Sequence, residues 1–220
     1  MKKWTVNLVL GFVKLTGILP ALLFFKPRVR LAQGARRRLP KPCILVSNHQ
    51  SLMDFVLYLM LFPLRTIRFL MAEVLFNKGK FFAAFLRGLG GIRVDRDTKD
   101  FGFVSECIEV LDHRGSLGIF PQGRLPVGGK PFPFTVSTAF IATHADARIV
   151  PVYTQGNYGI FKRANVVIGE AFYLTDYCQE GLSQQAQLEH LTRVLEEKVY
   201  ALKAVLDERK KEIEEESKAV

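Results

Sequence analysis

His49 and Asp54 stand five residues apart in the run Ser47-Asn48-His49-Gln50-Ser51-Leu52-Met53-Asp54. An imidazole can take a proton from a hydroxyl, and a buried carboxylate beside it fixes the tautomer and supports the imidazolium. The spacing restricts where the pair can form. Inside one α-helix, residues five apart differ by about 140° around the axis and do not face each other. The two side chains meet only if His49 lies at or before the start of a helix that carries Asp54. The surrounding residues offer that arrangement. Ile44-Leu45-Val46 is a short apolar run that reads as a strand, small polar residues follow as a turn, and a helical pattern begins near Leu52. Taken alone, a histidine at a helix start is more often structural than catalytic.

Two further segments change that balance. One is Gly90-Gly91-Ile92-Arg93-Val94-Asp95-Arg96. The other is Phe120-Pro121-Gln122-Gly123-Arg124, followed later by Ile149-Val150-Pro151-Val152. Their order and spacing resemble the glycerolipid acyltransferase family, which includes enzymes that make phosphatidic acid from lysophosphatidic acid. That family carries N-H-x-x-x-x-D, G-x-I-x-x-D-R, F-P-E-G-T-R and V-P-V blocks in this order. The resemblance covers residues from about 40 to 172. Four blocks in register are far more specific than any one of them.

The resemblance implies acyl transfer from a thioester to a lipid hydroxyl, with His49 as the base and Asp54 as its partner. It implies no covalent acyl-enzyme, in keeping with the lack of a serine or cysteine in a nucleophile-elbow setting. Arg96 matches the arginine that binds the acceptor's phosphate, a task suited to a planar guanidinium fork. Gln122, Gly123 and Arg124 match the rest of the acceptor end. The donor is acyl-CoA or acyl carrier protein, and no bound cofactor is implied. The third block departs from the family: Gln122 replaces glutamate, Arg124 stands where threonine is usual, and Leu125 where arginine is usual. Phe134-Thr135-Val136-Ser137 also lacks the lysines often found there, leaving Arg124 or Lys130 to restore a positive charge. The acceptor is therefore open between lysophosphatidate, another lysolipid and a lipid alcohol without phosphate. Two rivals stay in view: a membrane-bound regulatory protein without activity, and a hydrolase using the same pair on water.

Charge narrows the partners. Of the 31 lysines and arginines, ten fall in residues 1–41, where no acidic residue occurs, and the remainder of the chain balances 21 basic against 21 acidic residues. A neutral body disfavours nucleic acid as a partner. A basic segment around apolar sequence points to an anionic membrane surface, where each cation contributes about 1 kcal/mol. The acidic face of an acyl carrier protein is a second fit. Residues 4–25 are mostly apolar, with Lys14 in the middle and Pro20 near the end. Two short helices lying in the membrane face, with Lys14 reaching the headgroups, fit better than one span. No clear cleavage site follows, so a removed signal peptide is disfavoured. The basic residues that follow keep the segment on the cytosolic side, at the inner membrane in a bacterium. Cys43, Cys107 and Cys178 are scattered and read as reduced thiols. The histidines have no ligand spacing, and no metal is expected.

Beyond residue 28, short apolar runs alternate with helical stretches, which reads as α/β with a mixed, largely buried central sheet flanked by helices. Expected strands are Val29–Ala32, Cys43–Ser47, Ile67–Met71, Gly91–Val94, Ser116–Phe120, Ile149–Tyr153 and Asn165–Ile168. Expected helices are Leu52–Leu61, Phe81–Gly88, Phe101–Arg114 and Thr135–His144. Residues 1–41 form the anchoring segment, 42–182 the acyltransferase domain, and 183–220 a charged helix whose Leu188, Leu191, Leu195, Leu202 and Leu206 pack on that domain. Within Leu70–Leu89, phenylalanines interleave with Lys78, Lys80 and Arg87. That segment reads equally as a lipid-interface helix or as a core helix with solvated cations.

Overall fold

The computed structural model describes residues 3–95, 102–145, 147–155, 158–159 and 162–218, with side chains described from 5 to 208. Strands β1 (Arg28–Leu31), β2 (Cys43–Ser47), β3 (Ile67–Ala72), β4 (Ile92–Val94), β5 (Ser116–Ile119), β6 (Arg148–Gln155) and β7 (Asn165–Ile168) form where short apolar runs predict them. They join in one sheet in the order β1-β7-β6-β2-β5-β3-β4. The five strands from β6 to β4 run parallel; β7 turns back against β6, and β1 follows β7. The N-terminal segment therefore supplies an edge strand of the sheet as well as a helix.

Helices cover both faces. On one lie α1 (Lys3–Phe25), α2 (Asp54–Leu61) and α4 (Lys80–Gly88), and on the other α5 (Gly102–Asp112), α6 (Val136–His144) and α7 (Gln184–Lys218). A short helix, α3 (Glu73–Phe76), which the sequence pattern does not mark, joins β3 to α4. The two-residue alternation of a strand explains the layering. Leu45 of β2 packs with Leu57, Tyr58 and Phe69 on the first side, while Ile44 and Val46 pack with Ile141, Leu191 and Leu195 on the second. All five residues of β2 are buried, as expected for a central parallel strand covered on both faces. Cys43, Cys107 and Cys178 are free thiols, and burial pushes Cys43 up to about 11 and Cys107 up to about 12.

The N-terminus corrects two expectations. It is one continuous helix, not two, with Pro20 inside it. Proline removes the donor to the carbonyl four residues back. The helix runs on because its inner face is held on the domain before and after that point, through Val6, Leu10, Ala21 and Phe25. Lys14 also lies on that inner face and does not reach outward. Its Nζ donates to the carbonyls of Phe62 at 3.3 Å, Pro63 at 3.1 Å and Arg65. These carbonyls lie in the turn beyond the slightly negative end of α2, where that of Phe62 also accepts the Arg65 N–H at 3.0 Å.

The opposite face of α1 is apolar and open. Leu8, Phe12, Leu15, Leu19 and Leu22 recur at helical spacing and are exposed. Thr5–Phe25 is long and apolar enough, by length and composition, to cross a membrane. The neighbouring α4 likewise turns Phe81, Phe82 and Phe85 outward, Phe81 being 89% exposed, and buries Ala83 and Leu86. The phenylalanines of that helix are therefore not core residues.

Lys14→Leu keeps the apolar character of α1 but removes the side-chain donor from the three carbonyls, of which that of Phe62 keeps the Arg65 N–H. The expected result is a loss of about 2 kcal/mol, read as a lower urea midpoint with an unchanged slope. Lys14→Arg should recover most of the loss.

Candidate active site

Three neighbouring parallel strands, β6, β2 and β5, end side by side. In open α/β sheets, ligands bind in the crevice beyond the carboxyl ends of such strands. Here β2 runs out into Asn48 and His49, β5 into Phe120, Pro121 and Gln122, and β6 ends with Thr154 and Gln155. The four-residue turn after His49 returns the chain to Asp54, the first residue of α2. His49 thus precedes the helix, as the five-residue spacing requires.

His49 Nδ1 lies 2.8 Å from Asp54 Oδ2. The same oxygen accepts the backbone N–H of Gln50 at 2.7 Å and of Ser51 at 3.0 Å. Oδ1 accepts the hydroxyl of Tyr158. Asp54 is fully buried, so each of these donors offsets part of the desolvation of its charge. The positive end of α2 adds to that stabilisation. A carboxylate accepts only, so Nδ1 carries the proton in this pair and Nε2 is left as the basic nitrogen. The imidazole is 15% exposed, enough for a ligand to meet its outer edge. Burial, then the charge of Asp54, push the Tyr158 hydroxyl well above the ordinary tyrosine range, so it remains a donor to the carboxylate.

The imidazole plane is fixed from both sides of the turn. The Phe120 ring stacks on it at 4.3 Å with 17° between planes. Gln122 Oε1 accepts the backbone N–H of His49 at 2.6 Å, and its Nε2 donates to the Tyr200 hydroxyl of α7 at 3.1 Å. Gln122 is only 3% exposed and bridges β2, β5 and α7. Gly123 closes the turn after β5, donating its N–H to the Phe120 carbonyl at 2.9 Å with a φ of +63° that favours glycine. Arg124 is exposed on that turn, its guanidinium 5.5 Å from the centre of the Phe132 ring. Arg96 lies outside the described residues. His49, Asp54, Gln122 and Gly123 therefore come together, and Arg124 flanks them.

Sequence reasoning missed three parts of this assembly. Asn48 clamps β2 to β6 where β2 stops: its Oδ1 accepts Thr154 N–H at 2.8 Å, and its Nδ2 donates to the Thr154 carbonyl at 2.9 Å. Tyr58 of α2 lies fully buried beneath, its hydroxyl bonded to Ser47 Oγ at 2.5 Å and to Thr154 Oγ1. Tyr158 arrives from a loop with no periodic pattern. Of these, only Asn48 sits inside a recognisable block. Asn48→Ala would leave both backbone groups of Thr154 without partners at the core of the sheet. A loss of about 2–3 kcal/mol is expected, measured by chemical denaturation.

Known proteins resemble this chain in sequence and in fold. A family model described as acyltransferase matches residues 28–155, more than half of the chain. The 1-acyl-sn-glycerol-3-phosphate acyltransferase of Helicobacter pylori is 31% identical over 165 residues, which cover 67% of this chain and 68% of that protein. The human 1-acyl-sn-glycerol-3-phosphate acyltransferase beta is 26% identical over 130 residues, 59% of this chain. The match spans 47% of that human relative, about half its length. In fold, the chain is similar to the crystal structure of the 1-acyl-sn-glycerophosphate acyltransferase from Thermotoga maritima. The TM-score is 0.60 at 22% identity, covering 89% of this chain and 78% of the other. With four blocks in order, a family model over the same residues and a matching relative in Helicobacter pylori, the chain belongs to the acyltransferase family.

Proposed function

We propose that this chain transfers a fatty acyl group from a thioester to the hydroxyl of lysophosphatidate or a related lysolipid at a membrane surface. The observation that carries this reading is the bond between His49 Nδ1 and Asp54 Oδ2, which leaves Nε2 as the base. In the reaction, Nε2 takes the proton of the acceptor hydroxyl. The oxygen attacks the thioester carbonyl carbon, and negative charge moves to the carbonyl oxygen. The tetrahedral species collapses, the carbon–sulfur bond breaks, and the leaving thiolate recovers the proton from Nε2–H. Asp54 stays ionised and balances the imidazolium throughout. Acyl-CoA or acyl carrier protein is the donor, and the chemistry needs no bound cofactor.

The open apolar faces of α1 and α4 support docking on a bilayer, and Leu52 and Met53, both exposed beside the dyad, extend that surface to the rim of the site. Packing of the inner face of α1 on the domain supports a helix that lies along the membrane rather than crossing it, and the basic residues that follow support the cytosolic side for the catalytic end. Both ends of the Gln122 amide are engaged by protein groups, so recognition of the acceptor's phosphate falls to Arg96, Arg124 and Lys130.

The test is transfer from radiolabelled acyl-CoA and acyl carrier protein to a panel of lysolipids and lipid alcohols. His49→Ala should lose about 10³-fold in rate, within the range of general-base contributions. Tyr158→Phe should lower kcat about tenfold with little change in KM, since one of four donors to Asp54 is removed. Release of free fatty acid that no acceptor redirects would identify a hydrolase instead. Thioester left intact with every acceptor would identify a regulatory protein.

A further inference from the structure

At the end of the sheet opposite His49, the turns that lead into β2, β3, β5 and β6 surround a cavity of about 1210 Å³. Arg36, Arg37, Arg38, Arg65, Arg114 and Arg148 line it, against Glu170 alone among its lining acids. None of the six belongs to an ion pair among the described residues. Arg65 is the anchor of the group. It donates to the carbonyls of Leu39 and Pro40, while its buried Nη1 has no hydrogen-bond partner. Burial and the nearby charge of Arg38 both lower its pKa, as expected where cations crowd without a counter-charge.

An apolar groove of about 420 Å³ opens beside the cavity and shares Arg37, Leu61 and Pro63 with it. The groove runs to half-buried Ile18 and to Leu22 on the exposed side of α1. Leu64, 96% exposed, stands at the mouth of the cavity. Arginine forks next to an apolar channel, on the edge of an apolar helix face, match one chemistry: a phosphate with acyl chains attached.

We propose that this arginine-lined cavity binds the phosphate of an anionic membrane phospholipid, at a site separate from the acceptor bound at the dyad. This inference rests on the membrane docking proposed above. Separation follows from the strand geometry. β6 runs from Arg148 at the cavity to Gln155 at the dyad end, about 23 Å at a rise of about 3.3 Å per residue. An acceptor with its hydroxyl at His49 cannot place its phosphate there. A thioester carrier docked on these arginines would likewise lie at the wrong end of the sheet, so the lipid headgroup is the better partner for the basic segment.

The experiment is co-sedimentation of the full chain with vesicles of phosphatidylcholine alone and of phosphatidylcholine mixed with phosphatidylglycerol. Wild type is compared with the exposed-loop variants Arg36→Gln/Arg37→Gln/Arg38→Gln and Arg36→Lys/Arg37→Lys/Arg38→Lys, each checked for an unchanged thermal melt. The expected result is that all three bind neutral vesicles alike and that wild type gains affinity on anionic ones. The glutamine variant should lose on the order of 100-fold of that gain. The lysine variant keeps the charge but should still lose about tenfold, because an ammonium cannot make the paired bonds of a guanidinium. A lysine variant that keeps the whole gain would overturn the site in favour of diffuse attraction. Equal binding of wild type to both vesicles would overturn it while leaving membrane docking intact. Failure to bind either vesicle would remove docking and the lipid site together. Calorimetric binding of inorganic phosphate without any vesicle preference would assign the cavity to a soluble anion and overturn the lipid assignment.

Discussion

A carboxylate without water is the constraint on which this structure turns. Asp54 is fully buried, and an unpartnered charge there would cost several kcal/mol or take up a proton. Either outcome would end its use as the partner of a base. Four donors prevent this, drawn from the turn before α2, the imidazole itself and a loop more than a hundred residues away. The requirement reaches further still, because the Tyr158 ring packs edge-on against Phe25 at 5.1 Å. Phe25 ends α1, so the apolar N-terminal helix and the carboxylate are joined through one ring contact and one hydrogen bond.

Gln122 illustrates how the same constraint shapes a departure from the family pattern. Its position demands an acceptor for His49 N–H and a partner for the Tyr200 hydroxyl. A glutamate would satisfy both, with Tyr200 as the donor. It would also bury a second negative charge close to Asp54, and neighbouring carboxylates raise each other's pKa. The amide holds β2, β5 and α7 in the same relation without that repulsion. The substitution is therefore conservative for the scaffold, whatever it changes for a ligand.

The sheet was legible in the sequence to a degree that the site was not. β2 and β7 begin and end at the residues the apolar runs mark, and the remaining strands shift by no more than two residues. Buried strands announce themselves because each must be apolar on both faces. The His49–Asp54 pair was legible for a different reason: the other blocks in register mark it as more than chance, and the two side chains can meet at that spacing only if the histidine precedes the helix. Tyr158, Thr154 and Tyr200 carry no such mark. Each acts on a partner distant in sequence, and only the packing of strands and helices brings them near. Lys14 is the sharpest case. A lone cation in an apolar helix reads as a headgroup contact until the carbonyls of the turn after α2 are seen beside it.

With Lys14 turned inward, the basic excess of the N-terminal segment takes on a definite place. The arginines of the loop between β1 and β2 gather at one end of the sheet, and the dyad lies at the other, bordered by Leu52 and Met53. That division suits the chemistry. A base must meet a hydroxyl and a thioester, and six further arginines crowded beside His49 and Arg124 would oppose the imidazolium that forms during transfer. Positive charge drawn toward an anionic surface is best kept a strand's length away, where it can hold the molecule without weakening the base.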